Sequence, residues 1–399
     1  MKDIYITGMG IISALGVGCE ATLAALRRRQ TGIAPVKRLE TLHREFPIGE
    51  VDLSDGAMRT MIGLPTKAVT TRSSLMAAIA VREALESAGI CAGCDYGGKP
   101  VALVSGTTVG GMDMSERYYR NFLDGPEHSA YISTHDCGSC TELTADYFGI
   151  FSLLQTISTA CSSAANAILT GAELILDGRA GIVVAGGSEC LTKFHLNGFA
   201  TLMILDREPC KPFDARRGGL NLGEGAAYVV LEAADTVKRR NTTPICRLGG
   251  WANTCDAFHQ TASSPLGNGA RMSMLEALGQ AGLAPADIDY VNAHGTGTAN
   301  NDLSEGLAIE AVFGKKLPPV SSTKSFTGHT TSAAGGIEAI ISIMALEHGF
   351  IPANLHFQTP MEELQFCPST GEEGVKLRHV LSNSFGFGGN DTSLIFSEL

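Results

Sequence analysis

The stretch ISTACSSAAN, residues 157–166, closes an apolar run and continues in residues with almost no side chain. Upstream, LLQTI (153–157) has the content of a short strand. Downstream, SSAANAILTGAELILDG (162–178) reads as a helix stopped by Asp177-Gly178, and GIVVAGGSE (181–189) is a further strand. Strand, helix and strand in succession make a βαβ unit. Cys161 falls at the first join. One reading makes it core filler, the commoner fate of a buried cysteine. The other makes it a nucleophile at a helix N-terminus, where free N–H groups and the helix dipole favour a thiolate. Its small neighbours then leave room for something long to reach it.

The same rhythm runs outward. IYIT (4–7) reads as a strand, followed by a Gly turn and the helix ATLAALRRR (21–29). The helical SSLMAAIAVREALESAG (73–89) precedes the strand VALVSGTT (101–108). The expected class is α/β, with helices packed on parallel or mixed sheets. There is a faint internal echo between STACSSAANAI (158–168) and TGHTTSAAGGI (327–337). Two similar halves, 1–245 and 246–399, would account for a chain of 399 residues.

With 44% hydrophobic residues, 18% charged residues and 47 glycines, the chain is globular and rich in tight turns. A net charge of −11 argues against a nucleic-acid partner, which needs a broad basic face. Eleven cysteines without a framework fit a reducing, cytoplasmic setting. The N-terminal MKDIYITGMGIISALGVGC resembles a lipoprotein signal only superficially: Asp3 offsets Lys2, and Gly8, Gly10 and Gly16 interrupt the apolar stretch. It reads as structure. No apolar run is long enough for membrane insertion.

Several motifs are decoys. Gly8-Met9-Gly10 follows a strand but lacks the third glycine and the later acidic residue of a dinucleotide site. Gly93 to Lys99 has P-loop spacing, but Pro100 replaces Ser/Thr and a strand follows instead of a helix. The pairs Cys91/Cys94 and Cys137/Cys140 lie too far apart for a zinc ribbon, so no metal is expected. No GxSxG elbow is present.

Four segments carry polar residues that folding does not require. They are Cys161; His294 in NAHGTGT; Lys324 and His329 in SSTKSFTGHTTSAAGG; and NSFGFGGND, where glycines surround Phe387. Each has a bland reading as core, surface loop or tight turn. Together, a thiol, two histidines, a lysine and a Gly-exposed backbone are the parts for acyl transfer through a thioester.

These motifs resemble the elongating β-ketoacyl-ACP synthases and their polyketide relatives, in the thiolase-like superfamily. The resemblance runs through ITGMGIISALG, VSGTTVGGM (104–112), TACSSA, PFDARRGGLNLGEGA (212–226), DAFHQTASSP (256–265), HGTGT, STKSFTGH and SFGFGG, in the family's order. It implies a five-layered αβαβα core built from two duplicated halves, with two mixed sheets between three helix layers. The N-terminal half would carry the nucleophile, the C-terminal half the histidines and the Gly-rich gate loop. It implies that Cys161 takes an acyl group from an acyl-carrier protein, with the Cys161 and Phe387 N–H groups as oxyanion hole. His294 and His329 would stabilise the charge that forms when malonyl-ACP loses carbon dioxide, and Lys324, paired with Glu338, would position them. Thr296, Thr298 and Thr261 match contacts to the phosphopantetheine arm. Phe387 matches the gate, with Phe385 beside it, and Val109 the distal acyl pocket; Asp302 matches a supporting carboxylate. No cofactor is implied beyond the carrier's own arm. A homodimer is expected, with a cysteine-less homologue as the alternative partner.

The sequence departs from the family pattern at Asn301, at Asn390-Asp391, and at Thr330-Thr331-Ser332, where Ser332 stands for a glycine. TACSSA is closer to polyketide enzymes than to housekeeping ones. These departures favour a specialised chain, such as an aryl polyene, as an alternative to fatty acid elongation. A non-catalytic chain-length-factor-like role and a thiolase or chain-starting role are further alternatives; the Cys-His-His set argues against both. Docking of an acidic carrier to an acidic enzyme requires a local basic patch. Lys67, Arg72, Arg207, Lys211, Arg216 and Arg217 are its candidates, whereas Arg27-Arg28-Arg29 reads as a solvated helix face.

Overall fold

The computed structural model describes residues 3–91, 96, 98–125 and 129–399. Ten principal strands carry the fold: β1 (Ile4–Ser13), β2 (Val101–Gly106), β3 (Leu153–Ile157), β4 (Ile182–Glu189), β5 (Gly225–Ala233), β6 (Cys246–Cys255), β7 (Tyr290–Asn292), β8 (Val320–Ser321), β9 (His379–Gly386) and β10 (Asn390–Ser397). The helices that matter for the site are α1 (Arg72–Ser87), α2 (Ser163–Leu176), α3 (Asn268–Ala281), α4 (Ala299–Phe313) and α5 (Ala334–His348).

The first five strands lie in the order β3-β2-β4-β5-β1 and the last five in the order β8-β7-β9-β10-β6. The directions match too. β2 is parallel to β3 and β4, and β7 is parallel to β8 and β9. β5 is antiparallel to β4 and β1, and β10 to β9 and β6. The echo between residues 158–168 and 327–337 therefore has a counterpart in topology. One expectation needs correcting. The halves are not two separate sheets: β1 pairs with β6 at Ile4–Leu248, Tyr5–Arg247 and Ile6–Cys246, so one hydrogen-bonded ladder runs through both. The first strand of each half is the free edge of its own set, and each satisfies the other's unpaired backbone groups.

Five layers follow. α1 covers the outer face of β1 and β5, and α3 covers the outer face of β6 and β10. α2 and α5 lie between the halves and touch strands of both. That middle layer explains the small residues after Cys161. Ala164 approaches the backbones of Gly106, Gly187 and Gly336, so a larger side chain at any of these positions would push the layers apart.

Gly8 and Gly10 are explained here also. No turn follows IYIT, because β1 continues to Ser13. A Cβ at Gly8 would lie 2.3 Å from the Ala84 carbonyl oxygen, and one at Gly10 2.1 Å from that of Ala80. The glycines let α1 lie directly on the strand, and the resemblance to a nucleotide fingerprint is a packing effect. The Arg27–Arg29 run is exposed at the end of the helix Cys19–Arg27. Cys94 and much of the Gly93–Lys99 stretch lie outside the described residues. Cys91 is disulfide-bonded, which departs from the expectation of thiols alone, and Cys161 is a free thiol. No helix among the described residues is long and apolar enough to cross a membrane.

Candidate active site

Cys161 stands between the end of β3 and the first turn of α2. Ala160, just before it, has φ +52°, a left-handed backbone that alanine rarely adopts. The turn is held by side chains that sequence reading treated merely as small. Ser163 Oγ donates to the Ala160 carbonyl (2.6 Å) and accepts from the Thr159 N–H (2.9 Å). Ser162 Oγ lies 2.8 Å from both the Thr159 carbonyl oxygen and Asn390 Oδ1, which share its one proton. Asn390 Oδ1 also accepts from Asn166 and Asn253, both at 2.7 Å. The Thr-to-Asn departure in the Gly-rich motif thus ties β10 to the nucleophile turn.

From the other side, β9 ends on Gly386, where a Cβ would meet the Thr159 carbonyl oxygen at 2.7 Å and the Cys161 nitrogen at 3.3 Å. Glycine is required for that approach, which brings the Phe387 N–H to the Cys161 sulfur. The expected thiolate is not favoured. Burial pushes the Cys161 thiol up to about 11, against the opposing pull of the Lys324 charge and the Phe387 N–H. A helix N-terminus cannot offset complete loss of solvent.

His329 Nε2 lies 3.0 Å from Cys161 Sγ. The His294 ring meets the His329 ring edge-on, with centroids 5.3 Å apart. Burial holds both imidazoles well below their ordinary range, helped by the Lys324 charge, so both are neutral. Lys324 Nζ reaches His294 Nδ1 at 3.1 Å and also donates to the His294 carbonyl and to Glu338. An ammonium can only donate, so Nδ1 accepts and the His294 proton sits on Nε2. Burial drives the Glu338 carboxyl up to about 7, with Lys324 pulling it down. Sequence reading missed Glu305, whose carboxylate accepts the His294 N–H (2.8 Å) and the Gly295 N–H (2.7 Å). Nothing in its local sequence set it apart from Asp302, the other buried acid of α4.

A cavity of about 360 Å³ opens over Cys161. His294, His329, Thr261, Thr296, Thr298, Phe385 and Phe387 line it, so the structure gathers these predicted residues at one place. The Thr296 and Thr298 hydroxyls are 2.8 Å apart. Phe387 stacks on Phe199, a partner the sequence did not reveal, with centroids 5.8 Å apart. Asp302 Oδ2 accepts the Phe213 N–H (2.7 Å) and its Oδ1 the Gly297 N–H (3.1 Å), which fixes the threonine turn. Val109 is the exception. It is buried in a core cluster away from the cavity lining. Its N–H donates to Glu189 at 3.1 Å, which holds it there.

Two docking candidates are half-buried and already held by internal partners. Arg72 is locked to Glu224 (2.6 Å) and Asp55 (2.7 Å). Arg217 is half-buried, faces Asp302 and donates to the Thr298 and Ala299 carbonyls. Lys67, Arg207 and Arg216 are exposed, and Lys211 pairs with Glu208.

The model for the beta-ketoacyl synthase N-terminal domain matches residues 1–236, and that for the C-terminal domain matches residues 245–358. The 3-oxoacyl-[acyl-carrier-protein] synthase 2 of Coxiella burnetii is 33% identical, covering 100% of this chain and 99% of the relative. Nodulation protein E of Rhizobium meliloti is also 33% identical, with 100% of each chain covered. Among solved structures, the ishigamide ketosynthase/chain length factor superposes with a TM-score of 0.91 at 28% identity, covering 100% of this chain and 99% of that one. The ketosynthase ApeO, in complex with its chain length factor ApeC from Xenorhabdus doucetiae, gives 0.83 at 29% identity, covering 100% and 98%.

Proposed function

We propose a reaction path from one premise: the chain belongs to the beta-ketoacyl synthase family. It is a carbon–carbon bond-forming acyltransferase, a condensing enzyme of fatty acid or polyketide synthesis. The observation that carries the path is the contact of Cys161 Sγ with His329 Nε2 at the floor of a cavity shared with His294.

In the first half-reaction, an acyl thioester on a carrier protein enters the cavity. The Cys161 sulfur attacks its carbonyl carbon and neutral His329 takes the thiol proton. The oxyanion is held by the Cys161 and Phe387 N–H groups. The carrier sulfur leaves and takes the proton. In the second half, malonyl thioester loses carbon dioxide. His294, with its proton on Nε2, donates to the developing enolate oxygen, and His329 joins it once its own proton has shifted from Nδ1 to Nε2. The enolate carbon attacks the Cys161 thioester, the acyl–sulfur bond breaks and Cys161 leaves as a thiolate that regains its proton from water, while the new β-ketoacyl chain departs on its carrier. Thr296, Thr298 and Thr261 line the path of the phosphopantetheine arm, and no other cofactor takes part. Cys161 must be free; a cytoplasmic setting, in which the Cys91 disulfide would be the exception, belongs to the same reading, as does the division of the chain at 245/246. The departures at Asn390 and Ser332 leave a specialised chain, an aryl polyene or related polyketide, as the alternative to plain fatty acid elongation.

The test is intact mass after incubation with acyl-carrier proteins bearing saturated, conjugated and aryl-capped chains. A Cys161 adduct is expected, and the chain that loads fastest identifies the pathway. Preferential loading of saturated chains would remove the specialised reading.

Carrier docking falls to the exposed Lys67, Arg207 and Arg216. Reversing Arg207 or Lys67 to Glu is expected to raise KM for acyl carrier roughly fivefold, the equivalent of about 1 kcal/mol, while small thioesters turn over unchanged. Unchanged carrier kinetics would exclude both residues.

The assembly is a dimer joined through β3. This strand is the outer edge of the first half, its middle residues are exposed, and Leu154 is 42% accessible. An apolar edge strand is a template for pairing with another chain. Leu154→Lys is expected to convert a species of twice the chain mass to a single chain by light scattering. A monomeric wild type would point instead to a different second subunit, and an unaffected variant dimer to another surface.

A further inference from the structure

Beneath the catalytic pair lies a carboxylate that the path above leaves unused. Glu189, the last residue of β4, is fully buried. No basic side chain pairs with it among the described ion pairs. Hydroxyls and backbone N–H groups satisfy it instead. Its Oε1 accepts from Thr107 Oγ1 (3.0 Å) and the Val109 N–H (3.1 Å). Its Oε2 accepts from the Thr108 N–H (2.8 Å), from Thr108 Oγ1 (2.5 Å) and from Ser332 Oγ.

These donors come from two turns beside the reacting groups. The turn at 107–110 follows β2, whose last residue, Gly106, packs against Ser163 and Ala164 just beyond Cys161. The other turn follows His329. There Thr331 has φ +45°, an outlier for a β-branched residue, and such strain persists only where surrounding contacts impose it. Ser332, next to it, is fully buried and donates to Glu189. A glycine at position 332 has no hydroxyl, so the serine supplies a bond the common pattern lacks.

We infer that Glu189 and Ser332 are positioning residues that hold the His329 turn in register with the Cys161 turn. The 3.0 Å contact between His329 Nε2 and Cys161 Sγ depends on two segments 168 residues apart. Glu189 is bonded to the turn on one side of that contact and, through Ser332, to the turn on the other. A misplacement on the order of 1 Å between reacting groups costs about a hundredfold in rate. The inference rests on the role proposed for the Cys161–His329 pair.

The test is Ser332→Ala, the mildest cut, alongside Ser332→Thr, which keeps the hydroxyl, and Glu189→Gln, which cannot accept as many bonds. For Ser332→Ala, kcat for condensation is expected to fall about tenfold with KM for acyl carrier unchanged and the melting temperature nearly so. Ser332→Thr is expected to recover most of the rate. Alkylation of Cys161 by iodoacetamide gives a readout independent of the carrier. In the wild type, assistance by His329 flattens the rate above neutral pH; in Ser332→Ala the rate climbs steadily with pH, following the unassisted thiol. Unaltered kcat and alkylation profile in Ser332→Ala, or equal loss in Ser332→Thr, would overturn the inference. A wild type that neither loads nor shows the flattened profile would sink the Cys161–His329 pairing itself, a separate failure.

Discussion

Cys161→Ala loads no acyl chain from any carrier, and condensation falls by roughly a thousandfold or more. The expected loss is this large because no other nucleophile is in place. The cavity's remaining polar side chains are imidazoles, the asparagine amides of Asn300 and Asn301, and hydroxyls that lack a base within reach in the described contacts. The fold should survive, since deleting one buried sulfur costs about 1 kcal/mol. Intact mass and circular dichroism on the same sample separate the two effects. An adduct that persists in the variant would move the nucleophile elsewhere.

The thiol's burial sets a second expectation for the same step. With the thiol pushed to about 11, only roughly 1 in 3,000 molecules carries a thiolate at pH 7.5. Loading at neutral pH therefore requires a base, and His329 Nε2 is the group in reach at 3.0 Å. His329→Ala is expected to slow loading and make it climb about tenfold per pH unit toward pH 11. His294→Ala is expected to spare loading and remove malonyl decarboxylation.

Lys324→Met is expected to cost stability and activity together. Lys324 and Glu338 are both buried, and removing one partner of such a pair costs about 3–5 kcal/mol. The loss should depend on pH. Burial raises Glu338 in the folded protein above its ordinary range, and the Lys324 charge opposes that rise. Without the lysine the carboxyl rises further. A raised folded value means that protons are held more tightly in the folded state. The variant should therefore regain stability as pH falls from 8 toward 5, where Glu338 is neutral, and lose it as pH rises. The double variant Lys324→Met/Glu338→Gln should be more stable than the single one at pH 8. For activity, His294 loses the donor that fixes its proton on Nε2, and kcat should drop by about 10²–10³. A melting temperature of Lys324→Met independent of pH would show that Glu338 is not left charged.

The sequence reached far into this site because each essential group came in a local motif with little other purpose. TACSSA, HGTGT, STKSFTGH and SFGFGG each put a reactive or Gly-freed residue on a turn, and all four turns meet at one cavity. Composition and periodicity served β2, β3, β4, α1 and α2 equally well, as buried strands and Ala-rich helices carry strong local signals. Errors came where a local signal had a long-range cause. The glycines of β1 looked like a turn, yet they admit a helix 70 residues away. Arg72 and Arg217 looked like docking charges and are internal struts. Glu189 and Glu305 looked like nothing, because the N–H groups they bind come from other segments.

The sequence by itself determined the chemistry: a thiol, two imidazoles, a lysine and an acid, on segments whose order names the family and whose periodicity names the α/β class. The tertiary structure decided the electrostatic state of those groups. Burial makes the thiol a thiol and the histidines neutral, and an ammonium beside Nδ1 fixes one tautomer. It also decided that the two halves share one ladder and that Val109 is buried in a core cluster outside the cavity lining. The division has a physical reason. Reactive groups belong to residues and are written in the chain, whereas desolvation and register belong to the distances between segments, which exist only after packing.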